Sequence, residues 1–234
     1  MVLLGLALAP VVFIASYIYL KDKYDREPLK HLFISFILGA LSTFPAAIIE
    51  FSLGSYFPEN RMHIPTTIIH AFLIVALTEE FVKWVVLKFY AYRQKEFNEP
   101  FDGIVYGVMV SLGFAALENI IYVYQGGFHV ALLRMFTAVP AHASFGVMMG
   151  YYFGLAWMHK DKAWQYKLRG LIIATVLHGI YDFFLFQENY PAFMFFSFLG
   201  LIISIRLSRK AIIKHQLVSP FHPNNKTDND NNIV

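Results

Sequence analysis

Thr66–Tyr90 reads TTIIHAFLIVALTEEFVKWVVLKFY. The stretch is long enough to cross a bilayer, whose core of about 30 Å takes roughly 20 helical residues. Yet it carries Glu79, Glu80 and Lys83 in its interior. Each charge inside a membrane costs ~2.5–3.5 kcal/mol on insertion scales, so such groups must meet a partner, a metal ion or water. Two questions follow: whether the flanking sequence is also built to span, and what these acids face.

The flanking sequence is built to span. Of 234 residues, 57% are hydrophobic and 15% charged, against roughly 25% charged in soluble domains. Apolar blocks lie at about 3–20, 31–53, 66–90, 103–124, 129–158, 169–188 and 191–208. They predict an all-α polytopic membrane bundle of about seven transmembrane helices. The first block lacks a basic leader and reads as a span rather than a signal peptide. The fifth is over-long and contains Pro140, which predicts a kink or a partly unwound segment. Gly126–Phe128, GGF, reads as a short turn between blocks four and five.

Basic residues supply an independent check, because cytoplasmic loops collect Lys and Arg. Lys21, Lys23, Arg26 and Lys30 fall in the first loop, Arg93 and Lys95 in the third, and Lys160, Lys162, Lys167 and Arg169 in the fifth. Arg206, Arg209, Lys210 and Lys214 follow the last block, whereas the intervening loops hold only Arg61. The alternation places the N-terminus outside and the C-terminus in the cytoplasm. Residues 1–215 then form one transmembrane domain. Residues 216–234, polar and rich in Asn and Asp, form a tail too poor in apolar area to fold. The chain has no cysteine, which excludes disulfides and thiolate metal sites and leaves His and carboxylate as ligands. Nothing points to a nucleic-acid partner; the partners expected are the lipid bilayer and a substrate within it.

The acids of block three have company. Glu118 lies in block four beside Asn119, His142 in block five, and His178 with Asp182 in block six. At 1.5 Å per residue, Glu79 and His142 lie ~20 Å below the outer surface, His178 ~15 Å, and Glu118 and Asp182 ~9 Å. Four helices thus offer polar groups to one slab, with nothing comparable in blocks one, two and seven. Facing agrees with depth. His178 and Asp182 share a helix face. His142 lies in the sector of Gly146, Gly150 and Gly154, a small-residue stripe that admits a neighbouring helix, and Glu118 shares a face with Gly107, Ser111 and Ala115. Adjacent glutamates point about 100° apart, so one of Glu79 and Glu80 is expected to serve the centre and the other to pair with Lys83. Arg134 is expected to snorkel to the outer surface. Glu50, His31, His70, His129 and His159 are placed near the interfaces, and His63, His215 and His222 in loops or the tail.

Two histidines and several carboxylates without cysteine can hold a divalent ion such as zinc through N and O atoms, and activate its water. A spare buried glutamate suits a general base. A metal-free centre, with glutamate and histidine activating water and an oxyanion-stabilising second histidine, is equally consistent with the residues. Both lead to amide hydrolysis. HExxH, a serine nucleophile elbow and paired GxGD aspartates are absent. Glu79 is the expected base with Glu80 and Lys83 in support, and Glu118, His142, His178 and Asp182 the expected metal ligands or oxyanion partners. Rival classes are a proton- or ion-coupled transporter using a Glu/His relay, which predicts paired broken helices, and a non-catalytic scaffold.

The motifs in order are EEFVK at Glu79–Lys83, GFAALEN at Gly113–Asn119, HASFGVMMGYYFG from His142, and HGIYD at His178–Asp182. Together, over about residues 66–185, they resemble the PrsW family of bacterial membrane proteases, distantly similar to the CAAX prenyl endopeptidases. The resemblance implies a multi-pass protein of the bacterial cell membrane that makes the site-1 cut in a membrane-anchored anti-sigma factor during a stress response. It also implies that the family's glutamates fall on Glu79 and Glu80 and its histidines on His142 and His178. Asp182, where prenyl endopeptidases have Asn, and the placement of Lys83 one position early, set the chain apart from the latter group.

Overall fold

The computed structural model describes residues 2–58, 63–187 and 191–225; Arg61 and residues 226–234 of the expected tail lie outside them. Among the described residues the fold is helical without strands. The helices are α1 (Val2–Lys21), α2 (Leu29–Leu41), α3 (Thr43–Tyr56), α4 (Ile64–Ile68), a π-helical segment (Ile69–Ala76), α5 (Leu77–Phe89), α6 (Pro100–Phe136), α7 (Ala138–Met158), α8 (Ala163–Leu185) and α9 (Met194–Leu217), with short 3₁₀ turns between some of them.

Helix α6 is the axis of the bundle. Its start is specified locally: Pro100 occupies the first turn, where a missing N–H costs nothing. Glu99 and Asp102 form a reciprocal capping box, with the Asp102 carboxylate accepting from the Glu99 N–H at 2.8 Å. Every residue from Pro100 to Ala116 is buried, as expected of a helix apolar on all sides. Glycines let neighbours reach it. A Cβ on Gly107 would lie 3.1 Å from the Gly150 Cα, and one on Gly146 would lie 2.7 Å from the Gly107 carbonyl oxygen. On the other side Gly39 and Gly113 bring α2 against the Val110 and Phe36 carbonyls. The stripe read in the sequence is therefore the α6–α7 contact.

The predicted break in block five is real but lies elsewhere. Gly127 adopts φ 71°, ψ −154°, a conformation that favours glycine. The chain bends there and returns through residues 128–136 to a second break at Thr137 (φ −123°, ψ −78°). Pro140 sits three residues later, in the first turn of α7, where its ring is tolerated.

Four stretches are long and apolar enough to cross a membrane: Val2–Lys21, Leu29–Tyr56, Pro100–Met158 and Lys160–Leu185. The blocks predicted at 66–90 and 191–208 correspond to α4–α5 and α9. They fall outside this set because the first is interrupted by the π-helical segment and carries buried charges, and the second runs into Arg206, Arg209 and Lys210. At the chain's far end α9 continues to Leu217, and Ser219 just beyond it is fully buried.

Candidate hydrolytic centre

The π-helical segment runs straight into the turn that carries Glu79 and Glu80. Such wide turns are rare and concentrate at functional sites. The segment packs on α8, where Gly179 leaves room for Phe72: a Cβ there would lie within 2.7 Å of the Phe72 ring. This contact sets the level of the preceding residue, His178, against Glu80.

Glu79, Glu80, His142 and His178 converge, each offering a ligand atom within 4.8 Å of the others, and all four are buried. The sequence assigns one of the adjacent glutamates to the centre and the other to Lys83, whereas in the structure Lys83 meets both. The backbone vectors diverge, but both side chains are long enough to swing to one cation. That cation is Lys83, which donates from Nζ to Glu79 Oε2 at 3.1 Å and to Glu80 Oε1 at 2.8 Å. Nζ also lies 3.2 Å from His142 Nδ1 and 4.1 Å from the centre of the Phe114 ring.

The histidine tautomers follow from their partners. Lys83 has only donors, so His142 Nδ1 must present a lone pair, and its proton sits on Nε2. That N–H donates to Glu118 Oε2 at 2.9 Å. His178 repeats the pattern: Nε2 lies 3.2 Å from Asp182 Oδ2, one turn along the same helix, and Nδ1 lies 2.9 Å from Glu80 Oε1. A neutral imidazole has one N–H and cannot donate to both carboxylates, so Nδ1 calls for a second proton or a cation. Both histidines thus turn Nδ1 to the centre and commit Nε2 to an outer carboxylate, the arrangement in which second carboxylates orient metal-binding imidazoles.

The donor set fits a divalent ion. It is all N and O, it surrounds a point already held by a cationic ammonium group, and Glu80 Oε2 is enclosed with no hydrogen-bond partner among the described residues. Glu118 and Asp182, expected from sequence to be ligands, stand one position out, as partners of the histidines' far nitrogens.

A cavity of about 480 Å³ reaches this centre. Glu79, Glu118, His142, His178 and Asp182 line it, whereas Glu80 and Lys83 do not. Two residues assigned to interfaces from the sequence belong here. Arg134, on the returning segment, lies 2.9 Å from Glu118 Oε2, donates to Asn119 Oδ1 at 2.8 Å, and lies over the Tyr122 ring. It is a structural counter-ion rather than a snorkelling surface cation. Glu50 of α3 lines the same cavity, so block two does contribute an acid. The signal for Arg134 was available: Glu118 and Arg134 lie eight residues either side of Gly126, so a hairpin at that dipeptide brings them together.

An all-helical chain with apolar spanning helices, and a buried cluster of two glutamates and two histidines open to a cavity, defines a membrane-embedded protein with a metal-competent polar centre. Comparison with known proteins narrows that class. The family model of the PrsW family intramembrane metalloproteases matches residues 27–207. The chain is 42% identical over 187 residues to the Protease PrsW of Geobacillus kaustophilus, covering 80% of this chain and 81% of that protein. It is 39% identical over 191 residues to that of Bacillus subtilis, covering 78% and 82%, and 34% identical over 190 residues to that of Clostridioides difficile, covering 78% and 79%. No solved structure matches the chain. The chain belongs to the PrsW family of intramembrane metalloproteases.

Proposed function

We propose that the chain hydrolyses a peptide bond of a membrane-anchored protein, with Glu79 as general base. The observation that carries this assignment is the split between the paired glutamates. Glu79 lines the cavity through which water and substrate arrive, whereas Glu80 lies behind it, fully buried. In this reading His142, His178 and Glu80 hold a divalent ion, zinc by donor type, matching the two-His, one-Glu set of catalytic sites that keep an open position. When bound, such an ion polarises a carbonyl and acidifies a water molecule.

The chain's own residues do the rest. Glu79 removes a proton from the attacking water, the new C–O bond forms as the C–N bond breaks, and the proton passes to the leaving nitrogen. Lys83 offsets the negative charge of the two glutamates. Glu118 and Asp182 hold the imidazoles with Nδ1 inward, and Arg134 holds Glu118.

The substrate we propose is the membrane-anchored anti-sigma factor that the family resemblance implies, cut near the outer face to start a stress response in a bacterial cell membrane. The topology we infer has about seven spans with the N-terminus outside; the alternation of Lys and Arg between loops supports it. Residues 1–215 act as one protease domain ahead of a cytoplasmic tail.

The test is cleavage of a single-span reporter by the purified protein in liposomes, before and after stripping with a chelator. Cleavage that stops on chelation and returns with zinc is expected, with bound metal lost in a His178→Ala variant. Full activity after complete metal removal would eliminate the ion and leave the metal-free route.

A further inference from the structure

One wall of the cavity takes no part in the centre just described. Helix α3 presents Thr43, Ala46, Ala47 and Glu50 to it. This spacing of i, i+3, i+4 and i+7 is one helical face, with its end residues about 10 Å apart along the axis. Both end residues have an enclosed oxygen with no hydrogen-bond partner among the described residues, Thr43 Oγ1 and Glu50 Oε1. Thr43 is only 8% exposed.

Every other carboxylate on the cavity has a partner. Lys83 holds Glu79, Arg134 and His142 hold Glu118, and His178 holds Asp182. Among the described residues, Glu50 alone of the cavity's carboxylates has no hydrogen-bond or ion-pair partner. Polar groups withdrawn from water are hydrogen-bonded almost without exception, and a carboxylate is among the costliest to leave unmatched. Glu50 is partly exposed and only its Oε1 is enclosed, so its complement comes from what enters the cavity: water in the resting protein, and a donor of the substrate when one is bound. Ala47, between the two polar ends, is exposed and has a side chain short enough for a peptide backbone to lie close to the helix, whereas Ala46 is packed against Val82 and Phe114.

We propose that this face of α3 is the substrate-docking strip, and that Glu50 is a specificity-determining residue that receives a Lys or Arg side chain of the substrate close to the scissile bond. Thr43 bonds the substrate backbone at the strip's other end. The proposal rests on the hydrolase reading above. A basic residue fits better than a neutral donor because it supplies both the hydrogen bond and the opposite charge, and charge-assisted hydrogen bonds are the stronger ones.

The experiment uses the full chain in liposomes and a family of single-span reporters, identical except for Lys, Met or Glu placed in turn at each position flanking the cut. At one position the wild-type protein is expected to favour Lys over Met by tenfold or more in kcat/KM. Glu50→Gln is expected to collapse that ratio towards one, and Glu50→Lys to invert it in favour of the Glu reporter. Because each ratio is taken within one preparation, a partly misfolded variant does not disturb it. A wild-type enzyme that cleaves all reporters alike, or a Glu50→Gln variant that loses activity on Lys and Met reporters in equal proportion, overturns the proposal and leaves the hydrolase reading standing. If the wild-type protein cleaves no reporter, the hydrolase reading itself falls.

Discussion

Alanine in place of Gly150 tests how closely the centre depends on the α6–α7 contact. The added methyl carbon would meet the Gly103 carbonyl carbon at 2.6 Å and the Ile104 Cα at 2.8 Å. Unstrained carbon contacts lie near 3.5–4.0 Å, so the helices must part by roughly 1 Å. Backbone atoms cannot rotate away, as the end of a flexible side chain would. His142 rides on α7 and Glu118 on α6, and their 2.9 Å bond stretched by that amount passes beyond hydrogen-bond length. His142 then loses the partner that fixes its tautomer. A misplacement of this size costs on the order of 10²-fold in rate, and overpacking costs about 1–3 kcal/mol of stability. The assay pairs reporter cleavage in liposomes with thermal unfolding in detergent, using Gly5→Ala as control, because a Cβ there meets nothing within 4 Å. A Gly150→Ala protein with the wild-type rate and the wild-type Tm would refute the argument that the glycine contact sets the geometry of the site.

Glu118→Gln keeps the shape of the side chain but loses its charge. Cleavage should fall by about 10–100-fold, the usual cost of removing an outer partner of a metal-binding histidine; rates within a factor of two would sink that role. Glu118→Ala should also lower thermal stability by about 3 kcal/mol, because Arg134 is left as an unpaired, largely enclosed cation, which a melting curve would show. A separate prediction concerns the polar end of the bundle, where burial raises the Asp22 carboxyl to about 6, Glu99 to about 7 and Glu27 to about 8. The folded protein holds these protons after the unfolded chain has released them, so stability is present at low pH and declines as pH rises from about 4.5 to about 8. Glu27→Gln, which mimics the protonated acid that meets the Tyr106 hydroxyl, should flatten that slope in a pH series of melting curves; an unaltered slope would show that Glu27 is not its source.

Much of the site was legible because membrane burial makes ionisable residues conspicuous. Glu79, Glu80, His142 and His178 each interrupt an apolar run, and their depths along three helices lie within one slab of the membrane. The glycines at 146, 150 and 154 announced a close helix pair for the same reason, since small side chains in apolar sequence have few other uses. What escaped the reading were features fixed by the path of the chain rather than by its composition. The π-helical turn before Glu79 has no residue signature. Gly127 bends the chain back, which carries Arg134 to Glu118, and position along the sequence placed both Arg134 and Glu50 near water. Glu118 and Asp182, read from sequence as candidate ligands or oxyanion partners, meet the Nε2 atoms of His142 and His178; spacing reports which residues share a face but not which nitrogen of an imidazole each one meets.

The claim that most needs testing is that Glu79 does the chemistry in a centre shared with Glu80, His142 and His178. The direct measurement is single-turnover cleavage of a membrane-anchored reporter by Glu79→Gln protein reconstituted beside wild type, with matched melting temperatures and matched bound metal. The account predicts a folded, metal-loaded protein whose rate is at least a thousandfold lower, on the scale of losing a catalytic acid–base group. A Glu79→Gln protein that cuts the reporter at the wild-type rate would contradict it.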